Sequence, residues 1–136
     1  MLPDLLVRHI RVLGLIAIAV CAVTWWMDFA EWVYTCPYCR TQRSVIGLLG
    51  LLMILPNPHH WLVRYVGSVL AALGLPVAAM HFLMHLKEVF AGDFAFDSEW
   101  YLDPFLLSGL ALCIMTAQIL LLYQSPVDRA AVRQPG

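Results

Sequence analysis

The sequence predicts an all-α integral membrane protein, an up-down four-helix bundle with both termini in the cytoplasm. Three observations carry that reading: the apolar content, four long apolar segments, and an uneven spread of basic residues. Of 136 residues, 62% are hydrophobic and 12% charged, with a mean hydropathy of +0.78. Soluble domains carry about twice that charge. A spanning helix needs about 20 mostly apolar residues. Four segments approach that length, at about 10–27, 38–55, 61–86 and 104–123. They form one membrane domain, 1–123, followed by a cytoplasmic tail, 124–136, that reads as disordered.

The first segment is a retained span. Arg8 and Arg11 precede it, but Trp25-Trp26-Met27-Asp28 offers no small-residue cleavage site. Trp25, Trp26 and Trp32 at its outer end fit an interfacial aromatic belt. Thr35 is the expected N-cap of the second helix, with Pro37 in its first turn, where a missing N–H costs nothing. Pro56-Asn57-Pro58 ends that helix in an inner turn that carries His59 and His60, both expected to be solvated. Pro76, two residues after Gly74, predicts a kink in the third span. The connection 87–103 is acidic and aromatic (Phe90, Phe94, Phe96, Trp100, Tyr101) and reads as a segment on the membrane surface. Asp103-Pro104 opens the fourth span. Met53, Met80, Met84 and Met115 are expected in the bundle core. Cys21 and Cys113, inside the first and fourth spans, read as small packing residues.

With four spans the termini share a side, which holds Arg8, Arg11, Arg64, Arg129 and Arg133. The opposite side has Arg40, Arg43 and Lys87 among seven acids. The excess of basic residues places the termini inside. Net charge −1 leaves no basic patch, so nucleic acid is excluded as a partner.

The chemistry concentrates in Cys36-Pro37-Tyr38-Cys39, at the outer mouth of the second span. Two thiols at this spacing can close a disulfide, and on the oxidising side of a membrane disulfides persist. Cys36, just outside the helix, suits exchange with a partner protein. Cys39, in the first turn, suits passing electrons inward. Arg43 is four residues beyond Cys39 on the same helix face, where a cation stabilises a thiolate or a reduced quinone oxygen; Gln42 adds a hydrogen-bonding group. His81 and His85, four apart on the third span, are intramembrane ionisable residues. No second Cys or His pair stands at zinc-ligand spacing on the outer side, so no metal is expected.

The run Cys36-Pro37-Tyr38-Cys39-Arg40-Thr41-Gln42-Arg43 resembles the motif of the disulfide bond formation protein B (DsbB) family, in which C-P-x-C-x-x-Q-R is common. The resemblance extends to length, four-span layout and cytoplasmic termini. It implies a bacterial inner-membrane enzyme that passes electrons from the Cys36/Cys39 dithiol to ubiquinone or menaquinone and so generates or relays periplasmic disulfides. It also implies that Arg43 lies beside the quinone ring, and that His81, or next His85, is the histidine near the quinone. The family's second cysteine pair, which exchanges with a soluble DsbA-like thioredoxin-fold protein, is missing from 87–103. Cys36/Cys39 would then meet a partner directly. Two other readings stay open: a non-enzymatic membrane protein with a structural Cys36–Cys39 disulfide and a partner-binding outer loop, and a vitamin K epoxide reductase-like enzyme.

Overall fold

The computed structural model describes residues 2–33, 36–92 and 103–124, and over these it is an all-α bundle. A short helix, α1 (Leu2–Arg8), leads through His9 into α2 (Ile10–Phe29). Then follow α3 (Pro37–Ile54), α4 (Trp61–Ala91) and α5 (Pro104–Tyr123). Local signals set the boundaries. Pro37 opens α3 at a position that needs no N–H donor, and Cys36 occupies the cap. The expected cap Thr35 lies outside the described residues. His60 caps α4 by accepting from the Leu62 N–H at 3.2 Å. Asp103 caps α5 by accepting from the Phe105 N–H at 2.9 Å. At the other end of α4, Gly92 adopts φ 79, a left-handed conformation that closes the helix.

Two boundaries differ from the sequence reading. α4 does not stop near residue 86. It continues through Ala91 for 31 residues, about 46 Å at the usual rise, and so absorbs the start of the outer connection. Pro76 sits within it. The α1 segment was not anticipated, because its run is too short for periodicity to register. Phe94, Phe96, Trp100, Tyr101 and the tail beyond Gln124 lie outside the described residues.

Consecutive long helices are antiparallel. Gly14 of α2 faces Gly50 of α3, and Cys21 faces Gly47. Gly74 of α4 meets Val45 of α3 and Met115 of α5. Gly67 lies against Leu122 and Ile119, and Gly109 against Phe82. α3 is central, packed against α2, α4 and α5. One end of the bundle therefore gathers the end of α2, the start of α3, the end of α4 and the start of α5.

The burial pattern is that of a protein whose solvent is lipid. Small and polar residues share the inside with Val45, Leu49, Met53, Met115 and Leu122: Gly50, Ala71, Gly74, Ala78, Ser108 and Gln118 are buried. Large apolar residues such as Leu15, Val23, Leu73 and Leu110 face outward. Helices in a bilayer associate through close packing at small residues, since lipid gives no hydrophobic drive between them. Hydroxyls within the helices donate to their own backbone, Thr24 to Val20, Ser44 to Arg40 and Thr116 to Leu112, all within 2.8 Å, which satisfies these donors without water. Among the described residues, α2, α4 and α5 are long and apolar enough to cross a membrane. α3 is not among them, because Arg40, Gln42 and Arg43 occupy its opening turns.

The glycine crossings are tight enough to test. A Cβ at Gly14 would stand 2.7 Å from the Gly50 carbonyl oxygen and 3.0 Å from the Met53 Cβ. Backbone cannot yield there as a side chain would, so α2 and α3 must separate. Gly14→Val is expected to destabilise the protein by about 1–3 kcal/mol, read as an earlier midpoint in detergent unfolding; an unchanged midpoint would show the crossing to be loose.

Core assignments divide. Met53 and Met115 are buried, as expected, but Met80 and Met84 are 57% and 49% exposed. They sit on the outward face of α4, away from the bundle core. Cys21 packs against Gly47, whereas Cys113 is exposed on α5. Trp26 and Trp32 are exposed, as a belt requires, whereas Trp25 is half-buried with its ring 5.4 Å from that of Phe29. His59 is not simply solvated. It is half-buried, with Nδ1 3.1 Å from the Leu122 carbonyl oxygen, so it caps the end of α5.

Candidate functional site

The sequence places Cys36 and Cys39 around one turn at the start of α3. Packing adds what lies opposite them. The ligating atoms of Cys36, Cys39 and His81 all lie within 4.8 Å of one another. Both cysteines are half-buried free thiols, and His81 is buried. The Tyr38 ring stacks on the His81 imidazole, centroids 5.6 Å apart and planes at 17°. Gln42, one turn below Cys39, is buried too, and its Nε2 is 3.3 Å from His81 Nδ1. Of the five residues predicted for the site, four are therefore brought together: Cys36, Cys39, Gln42 and His81.

A polar chain leads outward from this cluster. His81 Nε2 is 3.2 Å from His85 Nε2, and His85 Nδ1 is 3.2 Å from Glu88 Oε2. One consistent assignment runs along it. The Gln42 amide donates to His81 Nδ1, His81 Nε2–H donates to His85, and His85 Nδ1–H donates to the Glu88 carboxylate. His85 is thus the link from the buried imidazole to the exposed end of α4.

Arg43 takes a different role from the expected one. Its guanidinium donates to the Thr24 carbonyl oxygen at 2.7 Å and lies 3.9 Å from Asp28 Oδ2. Arg40 binds the same carboxylate oxygen at 2.7 Å. The arginine that the motif suggests for a quinone is turned toward α2, although Arg43 and Asp28 stay within electrostatic range of the Cys39 thiol.

Asp28 is the residue the sequence reading missed. It looks like one more outer-loop acid, yet it is 3% exposed at the end of α2. Two arginines meet one of its oxygens, while the other, Oδ1, is buried without a hydrogen-bond partner. An available signal was the pairing of an acid ending one apolar helix with two arginines opening the next.

Chemically, the arrangement offers a dithiol with an imidazole beside it to accept or return a proton. His81 approaches the two thiols from another helix, so spacing along the chain could not reveal that these three potential ligand groups meet. Compared with models of known families, with curated proteins and with solved structures, the chain matches none.

Proposed function

We propose that this chain is a thiol–quinone oxidoreductase of the bacterial inner membrane, of the DsbB kind. In this reading it crosses the bilayer four times with both termini cytoplasmic, and it generates or relays disulfides on the periplasmic side. The observation that carries it is the juxtaposition of Cys36, Cys39 and His81 at one end of a lipid-facing bundle. The topology is supported by Arg8, Arg11 and Arg64 at the end away from the cysteines. It is supported too by the Asp28 carboxylate, which offsets the charge of Arg40 and Arg43 and so lets α3 lie among the spans.

A ubiquinone or menaquinone supplies a lipid-soluble two-electron acceptor. The residues at the site suit such a substrate. Gln42 and His81 present buried polar groups, and the Tyr38–His81 stack forms a planar wall. Cys36, nearer the mouth, exchanges with a protein dithiol. The Cys36/Cys39 dithiol then gives two electrons and two protons to the quinone and closes as a disulfide. His81 holds the thiol proton during that transfer. Arg43 contributes its charge while anchored on Thr24 and Asp28. Without a cysteine pair in 87–103, the protein partner, a DsbA-like thioredoxin-fold protein, reaches Cys36 directly.

Quinone reduction by the purified dithiol form, followed by quinone absorbance, tests this. Wild type is expected to turn over and Cys39→Ser to be inactive. Arg43→Ala should keep at least a tenth of the rate if the arginine acts mainly through Asp28, and lose more if it binds the quinone. A wild-type dithiol that stays reduced in excess quinone would sink the proposal.

A further inference from the structure

We infer that the reduced Cys36/Cys39 pair and His81 form a binding site for a thiophilic d10 cation, Zn²⁺ or Cu⁺, that exists only in the dithiol state. The inference uses the residues of the proposed redox site but needs no quinone.

Two thiolates and one imidazole are a ligand set for these ions. At metal–sulfur distances of about 2.3 Å and metal–nitrogen distances of about 2.0 Å, the ligand atoms of a tetrahedral site stand about 3.5–3.8 Å apart. Here the three atoms lie within 4.8 Å, so contraction of about 1 Å, within the reach of cysteine rotamers, closes the set around an ion. The ligands come from rigid places. Cys39 lies in the first turn of α3, Cys36 caps it, and His81 is buried on α4.

The surroundings of His81 add an independent argument. A ligating histidine typically passes its other ring N–H to a partner that fixes the ring and its tautomer. His81 has partners at both nitrogens, Gln42 at Nδ1 and His85 at Nε2, the latter leading to the Glu88 carboxylate. If Nδ1 takes the cation, Nε2–H keeps its bond to His85. If Nε2 takes it, the Gln42 amide turns over and accepts from Nδ1–H. Either way the imidazole stays oriented, and a fourth position is open to water.

Binding displaces the two thiol protons and leaves the sulfurs as thiolates. Oxidation to the disulfide removes two of three ligands, so a cation held by the dithiol is released when the pair closes. While held, it blocks both thiols.

Reduced protein in detergent, the whole 136-residue chain, is dialysed against Zn²⁺ alone and, separately, against Cu⁺ alone under a competing chelator. One equivalent per chain is expected for the dithiol form of wild type with at least one ion, and none after oxidation. Co²⁺ should give a thiolate-to-metal charge-transfer band. The partner on the nitrogen that does not ligate is expected to matter about 10-fold, as for outer-shell groups: Gln42→Ala weakens binding if Nε2 holds the cation and His85→Ala does if Nδ1 holds it, while His81→Asn weakens it by more. His81→Cys restores a ligand and should restore tight binding, which separates a lost ligand from a misfolded site. Helix content and thiol count confirm that each variant is folded and reduced. Equal affinity for wild type and His81→Asn, or equal binding by the oxidised form, would overturn the inference. Quinone reduction in metal-free buffer on the same preparations reads the proposed function separately, so either can fail alone.

Discussion

Replacing Asp28 with alanine is expected to cost the folded protein about 3 kcal/mol, because it leaves two arginine charges at the α2–α3 crossing without their carboxylate. Asp28 is almost completely enclosed, and Arg43 has 15% of its side chain exposed. Arg43 is largely enclosed and would keep its bond to the Thr24 carbonyl oxygen without a counter-charge. Arg40 is different. With 44% of its side chain exposed, it can turn outward and rehydrate, so Arg40→Ala should cost about 1 kcal/mol or less. The loss on Asp28→Ala therefore falls mainly on Arg43, and Asp28→Asn, which keeps the shape without the charge, belongs between the two. Unfolding of the purified variants in graded denaturing detergent gives the order. If Asp28→Ala matches wild type, the carboxylate contributes no net stability. If Arg40→Ala is the worse of the two, the charge balance has been misassigned.

Removal of the His81 imidazole is the second large effect, and it falls on rate. His81→Ala should slow single-turnover quinone reduction about 100-fold, the lower end of what a positioned proton-transfer group supplies. The thiols remain, and so does their capacity to form a disulfide with a chemical oxidant. What goes is the group that, in the proposed reaction, takes a proton and lies in line with His85 and Glu88. The test compares two rates on one sample, oxidation by quinone and oxidation by a small disulfide. A fall in the first with little change in the second is the expected result. Equal falls would mean that His81 only supports the local structure, and no fall would remove it from the proposed reaction.

Much of the fold was legible because lipid imposes simple rules. Long apolar runs gave the helices, and proline and the Asp103 cap gave several of their ends, while the close of α4 at Gly92 was not foreseen. What was not legible depended on contacts between helices. His81 could be chosen as a candidate from its position near the outer end of an apolar helix. Its approach to Cys36 and Cys39, however, is a product of the α3–α4 crossing. Arg43 was assigned by motif, yet its partners Thr24 and Asp28 belong to α2. Met80 and Met84 were misplaced because a helix apolar on all faces carries no periodic signal to separate the lipid side from the bundle side. Asp28 was overlooked because an acid near a helix end reads as solvated unless its partner on the next helix is known.

The opening turns of α3 have a consequence for how the protein is made. This helix carries two arginines and a glutamine and falls short of the apolar content that marks α2, α4 and α5. An arginine is costly for a segment entering the bilayer by itself. α2, synthesised just before it, ends in the acid that neutralises those arginines and presents the glycines against which α3 packs. The two are therefore best inserted as a hairpin, with α2 acting as the escort of α3. In the proposed four-span topology, order of synthesis is then part of the fold: Cys36 and Cys39 reach their place on a helix that enters the bilayer in the company of α2.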